Sequence, residues 1–149
     1  MVKRPHTLRL NETDRALLAG EIASHGNQVV SDAASENERA RAQLDAWLHL
    51  VHRIDMLRVH RLRQKTVHDD ESLHEHLPYK LRLSAVELAL LSAYMSARLH
   101  ELQEFVHQHA HQESIQALIG EKRRHLASIE KVHERLCRMR RRALTSVAA

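Results

Sequence analysis

Two stretches of the chain open in the same way. Leu8-Arg9-Leu10-Asn11 leads into an apolar run at Ala16, Leu17, Leu18 and Ile22, and Leu81-Arg82-Leu83-Ser84 leads into Ala89, Leu90, Leu91 and Met95. Each places an Asn or Ser, residues that satisfy the free N–H groups of a helix start, between an apolar residue and a run of helical period. The offset between the two copies is 81 − 8 = 73 residues. The same offset carries His52 onto His125 and Val59-His60 onto Val132-His133. Identity over the whole overlap is low, so the pattern suggests a degenerate internal duplication, looking for which comes before any finer reading.

Each half then reads as a first helix, a polar break and a longer second helix. In the first half His25-Gly26-Asn27 has the composition of a helix stop, Ser31 to Ser35 offers new caps, and a long helix follows over about 36–66. In the second half the spacing predicts helices over about 85–109 and 113–142. The organisation predicted is one helical domain. Hairpin 1 covers about 8–66, a linker rich in His and acids 67–79, hairpin 2 about 80–142, and a frayed tail 143–149. At ~100° per residue, Leu44, Trp47, Val51, Ile54 and Leu62 share one face of the second helix. Leu88, Leu91, Met95, Leu99, Leu102 and Val106 share one on the third, and Leu118, Ile129, Val132 and Leu136 one on the fourth. Stripes this wide pack against more than one neighbour. The fold expected is all-α, a four-helix bundle or two stacked helical hairpins, and the stripes on the second and fourth helices also suit a homodimer.

Composition narrows the class. The 149 residues are 43% hydrophobic and 28% charged, with 3 Gly, 2 Pro and very few aromatics, so the core is aliphatic and turn residues are scarce. Cys137 is the single cysteine, so no internal disulfide forms. Met1-Val2-Lys3-Arg4-Pro5-His6 lacks the apolar run of a signal peptide, and no stretch approaches the ~18 apolar residues that cross a membrane. A cytoplasmic protein without membrane association is the expectation. There is no glycine-rich phosphate loop, no Gly-x-Ser-x-Gly and no Cys-x-x-Cys, and the sequence points away from an enzyme.

Charge adds a candidate surface. The net charge is +4. From Ile115 to Arg142 nine Lys or Arg face three Glu, an excess of 9 − 3 = +6. Arg124, Lys131, Arg135, Arg138 and Arg142 recur at spacings of 7, 4, 3 and 4, which sets them in one row along ~27 Å of helix. Such a row suits phosphates or an acidic protein surface, while the scarcity of aromatics argues against stacking on single-stranded bases. The leading expectation is a non-enzymatic helical adaptor that engages nucleic acid, or a protein complex handling it, through this basic helix. A structural or inhibitory module that binds only protein is an alternative.

The 14 histidines raise a second alternative, a metal-binding helical bundle. Glu71/His74, Glu104/His107 and Glu130/His133 have the Glu-x-x-His spacing of di-iron bundles, and His100/Glu104 and His107/His111 are four residues apart. The phase sets His100, Glu104, His107 and His111 ~120–180° from the apolar stripe of their helix, which predicts a solvent-facing row and no resident cofactor. Polar residues that fall inside the stripes are Asp55, Arg58, His125, His133 and Arg140; a subunit interface is one use for them.

Lys3-Arg4-Pro5-His6-Thr7-Leu8-Arg9-Leu10, followed by a helix, resembles the start of a ribbon-helix-helix DNA-binding protein. The resemblance covers about the first 25 residues. It implies a short strand that pairs with a second subunit and reads the major groove with alternate side chains. The family's second helix would begin close behind the first, where Gln28 to Ser35 matches poorly. The same Leu-Arg-Leu also recurs mid-chain at Leu81, where the family pattern expects no groove-reading arm. The sequence is therefore assigned to no family.

Overall fold

The computed structural model describes residues 3–34, 38–65 and 78–148. In chain order they form strand β1 (His6–Leu10), helix α1 (Glu12–Ala34), helix α2 (Glu38–Lys65), strand β2 (Tyr79–Leu83), helix α3 (Ala85–His109), a 3-10 turn (Glu113–Ile115) and helix α4 (Gln116–Ala148). The protein is mostly helical, with one small sheet. By internal packing it divides into two units, Met1–Glu87 and Leu88–Ala149.

The sheet is the main departure from an all-helical reading. Leu8-Arg9-Leu10 and Leu81-Arg82-Leu83, read as leads into helices, are strands that pair antiparallel with Leu8 opposite Leu81. The local pattern explains this. Apolar and polar residues alternate with a period of two, which suits a pleated strand with one buried face. Leu8, Leu10, Tyr79, Leu81 and Leu83 are buried while Thr7, Arg9, Lys80 and Arg82 are exposed. Tyr79, the last residue of the expected linker, opens β2 instead.

The predicted caps do hold the helices that follow. Asn11 Oδ1 accepts the Asp14 N–H at 2.7 Å, and Glu12 and Asp14 set acidic groups on the positive end of α1. At α3, Ser84 Oγ accepts the Glu87 N–H at 3.1 Å while Glu87 Oε1 accepts the Ser84 N–H at 2.9 Å. That reciprocal pair is a capping box.

In the first unit α1 packs on α2, and α2 lies against β2. The core here is Leu8, Leu10, Leu18, Ile22, Trp47, Leu50, Ile54, Leu81 and Leu83. A two-stranded ribbon is marginal alone, so these helices hold it. Contrary to the predicted stop at His25-Gly26-Asn27, α1 runs on to Ala34. A glycine inside a helix costs about 1 kcal/mol relative to Ala, which does not end one. Asp55 and Arg58 are exposed rather than inward. The side chain of Leu62 and the linker residues His68, Asp69, Asp70, Glu71, His74, Glu75 and His76 lie outside the described residues.

The second unit contains most of α3, the 3-10 turn and α4. Leu88, Leu91, Met95 and Leu102 are buried on α3, and Ile119, Ile129, Val132 and Leu136 on α4. At the start of α4 the buried residue is Ile119, while Leu118 is 39% exposed. The Lys122 ammonium sits over the Phe105 ring, 5.8 Å from its centroid, a cation–π contact joining the two helices. α4 continues to Ala148, through the stretch read as a tail.

Candidate nucleic-acid interface

The outward face of the ribbon carries four side chains in two opposite pairs. Thr7 stands across from Arg82, and Arg9 across from Lys80, all exposed. The segments 3–10 and 78–84 together hold Lys3, Arg4, Arg9, Lys80 and Arg82 and no acidic residue. Opposite positions on paired strands bring Cβ atoms to about 5 Å, where like charges repel. Arg9 and Lys80 are such a like-charged pair.

A buried carboxylate fixes this ribbon from behind. Glu87 Oε1 accepts Arg4 Nε–H at 3.0 Å, and Arg53 on α2 donates to Glu87 Oε2 and to the Arg82 carbonyl. Burial of Glu87 works to raise its pKa, but the Ser84 N–H and the Arg53 and Arg4 guanidiniums outweigh it and hold the carboxyl below the usual carboxylate range. The basic N-terminal arm, α2 and the backbone of β2 are thus tied to one acid. A second anchor lies at the other end of the strands. The Arg15 guanidinium donates to Glu12 at 2.6 and 3.0 Å and sits 5.6 Å from the Tyr79 ring centroid. The hydrogen bond from Arg15 is the main reason that the Glu12 carboxyl falls to about 2. Beside the Arg4 arm a groove of about 730 Å³ opens, lined among others by Asp45, His49 and Val86.

The basic row of α4 has a different character. Arg124, Lys131, Arg138 and Arg142 are exposed and Arg135 is half-buried. Arg138 donates to Glu134 at 2.6 Å, one turn away, and the same arginine is the chief cause of the lowered pKa of Glu134. His125 and His133 are half-buried and Arg140 is exposed.

The histidine row on α3 faces outward, as its phase predicted. His100, Glu104, His107 and His111 are all exposed, and His100 Nε2 lies 3.5 Å from Glu104 Oε1. α3 ends at His109, so His111 falls beyond it and does not sit one turn from His107 on a common helix. Among the described residues no three His, Cys, Asp or Glu come together around a point where a metal could bind. Cys137 Sγ lies 3.5 Å from His133 Nε2, one turn away on α4.

Among the described residues no helix is long and apolar enough to cross a membrane. No protein-family model matches the chain, and no curated protein or solved structure is significantly similar to it.

The signal that would have found the ribbon was present in the sequence. Thr-Leu-Arg-Leu and Lys-Leu-Arg-Leu alternate strictly, and both segments are basic without a compensating acid. The mid-chain recurrence at Leu81, which counted against the ribbon-helix-helix resemblance, supplies the second strand within one chain.

Proposed function

We propose that this protein is a non-enzymatic DNA-binding protein that reads duplex DNA with the outer face of the β1–β2 ribbon. The supporting observation is the ribbon itself, closed by a leucine-rich core on one face and presenting Arg9, Lys80, Arg82 and Thr7 on the other. The B-DNA major groove is about 12 Å wide and admits a two-stranded β-ribbon. Five residues of strand span ~17 Å, enough to reach several base pairs. Arg and Lys recognise guanine O6 and N7, and Thr suits the thymine methyl or a base-edge hydrogen bond. Lys3 and Arg4 add cations for flanking phosphates. The major groove of duplex RNA is too deep and narrow for side chains to read, and the few aromatics give little to stack on single strands. Duplex DNA is therefore favoured over both.

In this reading each strand belongs to one of two degenerate helical hairpins, and a homodimer is not required to complete the ribbon. The α4 row, exposed except at the half-buried Arg135, is the competing phosphate-binding surface, with an acidic protein as its other partner.

The test is a fluorescence-anisotropy titration of the full chain with duplex DNA, duplex RNA and single-stranded DNA at several salt concentrations. The proposal expects duplex DNA to bind most tightly, with log K falling by about 0.9 per phosphate contact for each unit of log salt. No duplex binding at low salt, or equal binding to all three, would overturn it.

A further inference from the structure

The two strands are not copies of one another where they face outward. The 73-residue offset carries Leu8 onto Leu81, Arg9 onto Arg82 and Leu10 onto Leu83, but it carries Thr7 onto Lys80. The pairing is centred on Leu8 opposite Leu81. The operation that exchanges the strands therefore swaps Arg9 with Arg82 and Thr7 with Lys80. The outer face has one matched pair of readers and one mismatched pair. A ribbon built by two identical chains across a two-fold axis could not hold such a mismatch, because each residue there meets its own copy's surroundings. A single chain that supplies both strands can.

Resting on the duplex-DNA reading above, we infer that Thr7 and Lys80 determine specificity, and that the target is a two-part site with broken symmetry. The same base pair recurs where Arg9 and Arg82 reach, a guanine by the chemistry of the guanidinium fork. Where Lys80 reaches, the ammonium favours another guanine. At the equivalent place in the other half, Thr7 has no charge and favours thymine through its methyl group. A site of this kind has a direction, so the protein sits on it in one orientation, which a symmetric reader of a palindrome cannot do.

The experiment is selection of bound duplexes from a random library by the full chain, repeated with Thr7→Lys and Lys80→Thr. Both positions are exposed, and far-UV circular dichroism checks that each variant keeps its helices. The wild type is expected to select a near-palindrome whose halves differ at one position. T7K should convert the Thr7 half to the preference of the other half, and K80T should do the reverse. Discrimination between the two bases at that position should change by about tenfold or more. A perfect palindrome selected by the wild type, or unchanged half-sites in both variants, would overturn the inference while leaving duplex binding intact. Absence of selection by a wild type that binds no duplex at low salt would overturn the DNA reading and this inference with it.

Discussion

The ribbon and helix α4 both present rows of cations, yet they do so under different constraints. On α4, acids are interspersed with the basic residues, and Arg138 is held by Glu134 a single turn away at 2.6 Å. A helix has one outer face and many i, i+4 partners, so charge there can be balanced locally and serve solubility. On the ribbon, Arg9 and Lys80 stand opposite one another and neither strand carries an acid. Glu87, which ties the arm and α2 to that region, lies behind it and is 4% exposed at its side chain. Among the described residues no acid pairs with Arg9 or Lys80, and on the DNA-binding proposal an anion from outside answers these charges. The number of cations is the poorer guide to a binding surface; whether the fold balances them is the better one.

The largest effect that would sharpen this contrast is on binding. The double variant R9A/R82A should lose at least about 30-fold in duplex affinity, taking ~1–3 kcal/mol for each guanine-reading arginine, measured by anisotropy at fixed salt. Glu in place of Arg135, Arg138 and Arg142 should change affinity far less; a larger loss there than on the ribbon would reverse the ranking. Next comes Leu81→Ala. It removes a side chain that is 1% exposed in the core beneath the ribbon and should cost ~2–5 kcal/mol of stability by denaturant unfolding.

Behind the ribbon, Glu87→Gln should cost ~1–3 kcal/mol. It leaves Arg4 and Arg53 without their counter-charge, although Gln can still close the capping box. The sign with pH follows from the carboxylates. Glu12 and Glu87 have folded pKa values below the ordinary 4.5. Their stabilisation is complete above that value and is lost as the pH falls through their folded pKa values, down to about 2 for Glu12. Thermal unfolding midpoints should drop as the pH is lowered across this window, and less steeply in the Glu87→Gln protein. A midpoint that rose on acidification would contradict the ion pairs described. Asn11→Ala, which removes the α1 cap, should cost ~1 kcal/mol. Smallest of all, Glu134→Gln on the fully exposed face of α4 should leave the unfolding midpoint unchanged within error.

Much of the helical architecture was legible in the sequence, because its signals are local. The caps at Asn11 and Ser84 and the span of α3 follow from short-range chemistry that nothing elsewhere overrides. The apolar stripe of α3 is equally clear, with Leu88, Leu91, Met95 and Leu102 all buried. The ribbon is harder to see because five residues are too few for a strong strand signal and each strand needs a partner 69 to 77 positions away. Its alternation merges with a helix lead-in, since the caps that follow it are so clear. Arg53 could not be recognised as a clamp from its place on α2; only the pairing that brings the Arg82 carbonyl and Glu87 to it shows what it does. The α4 row was found by spacing alone, and spacing reports a common face but not whether the charges on that face are already answered.

The most direct test of the central claim is a chemical-shift titration of the isotopically labelled 17.3 kDa chain with duplex DNA. If the ribbon is the DNA surface, amides of Thr7 to Leu10 and Lys80 to Leu83 shift first and furthest, together with the side chains of Arg9 and Arg82. If the shifts concentrate along Arg124 to Arg142 and the strand amides stay in place, α4 and not the ribbon is the binding surface.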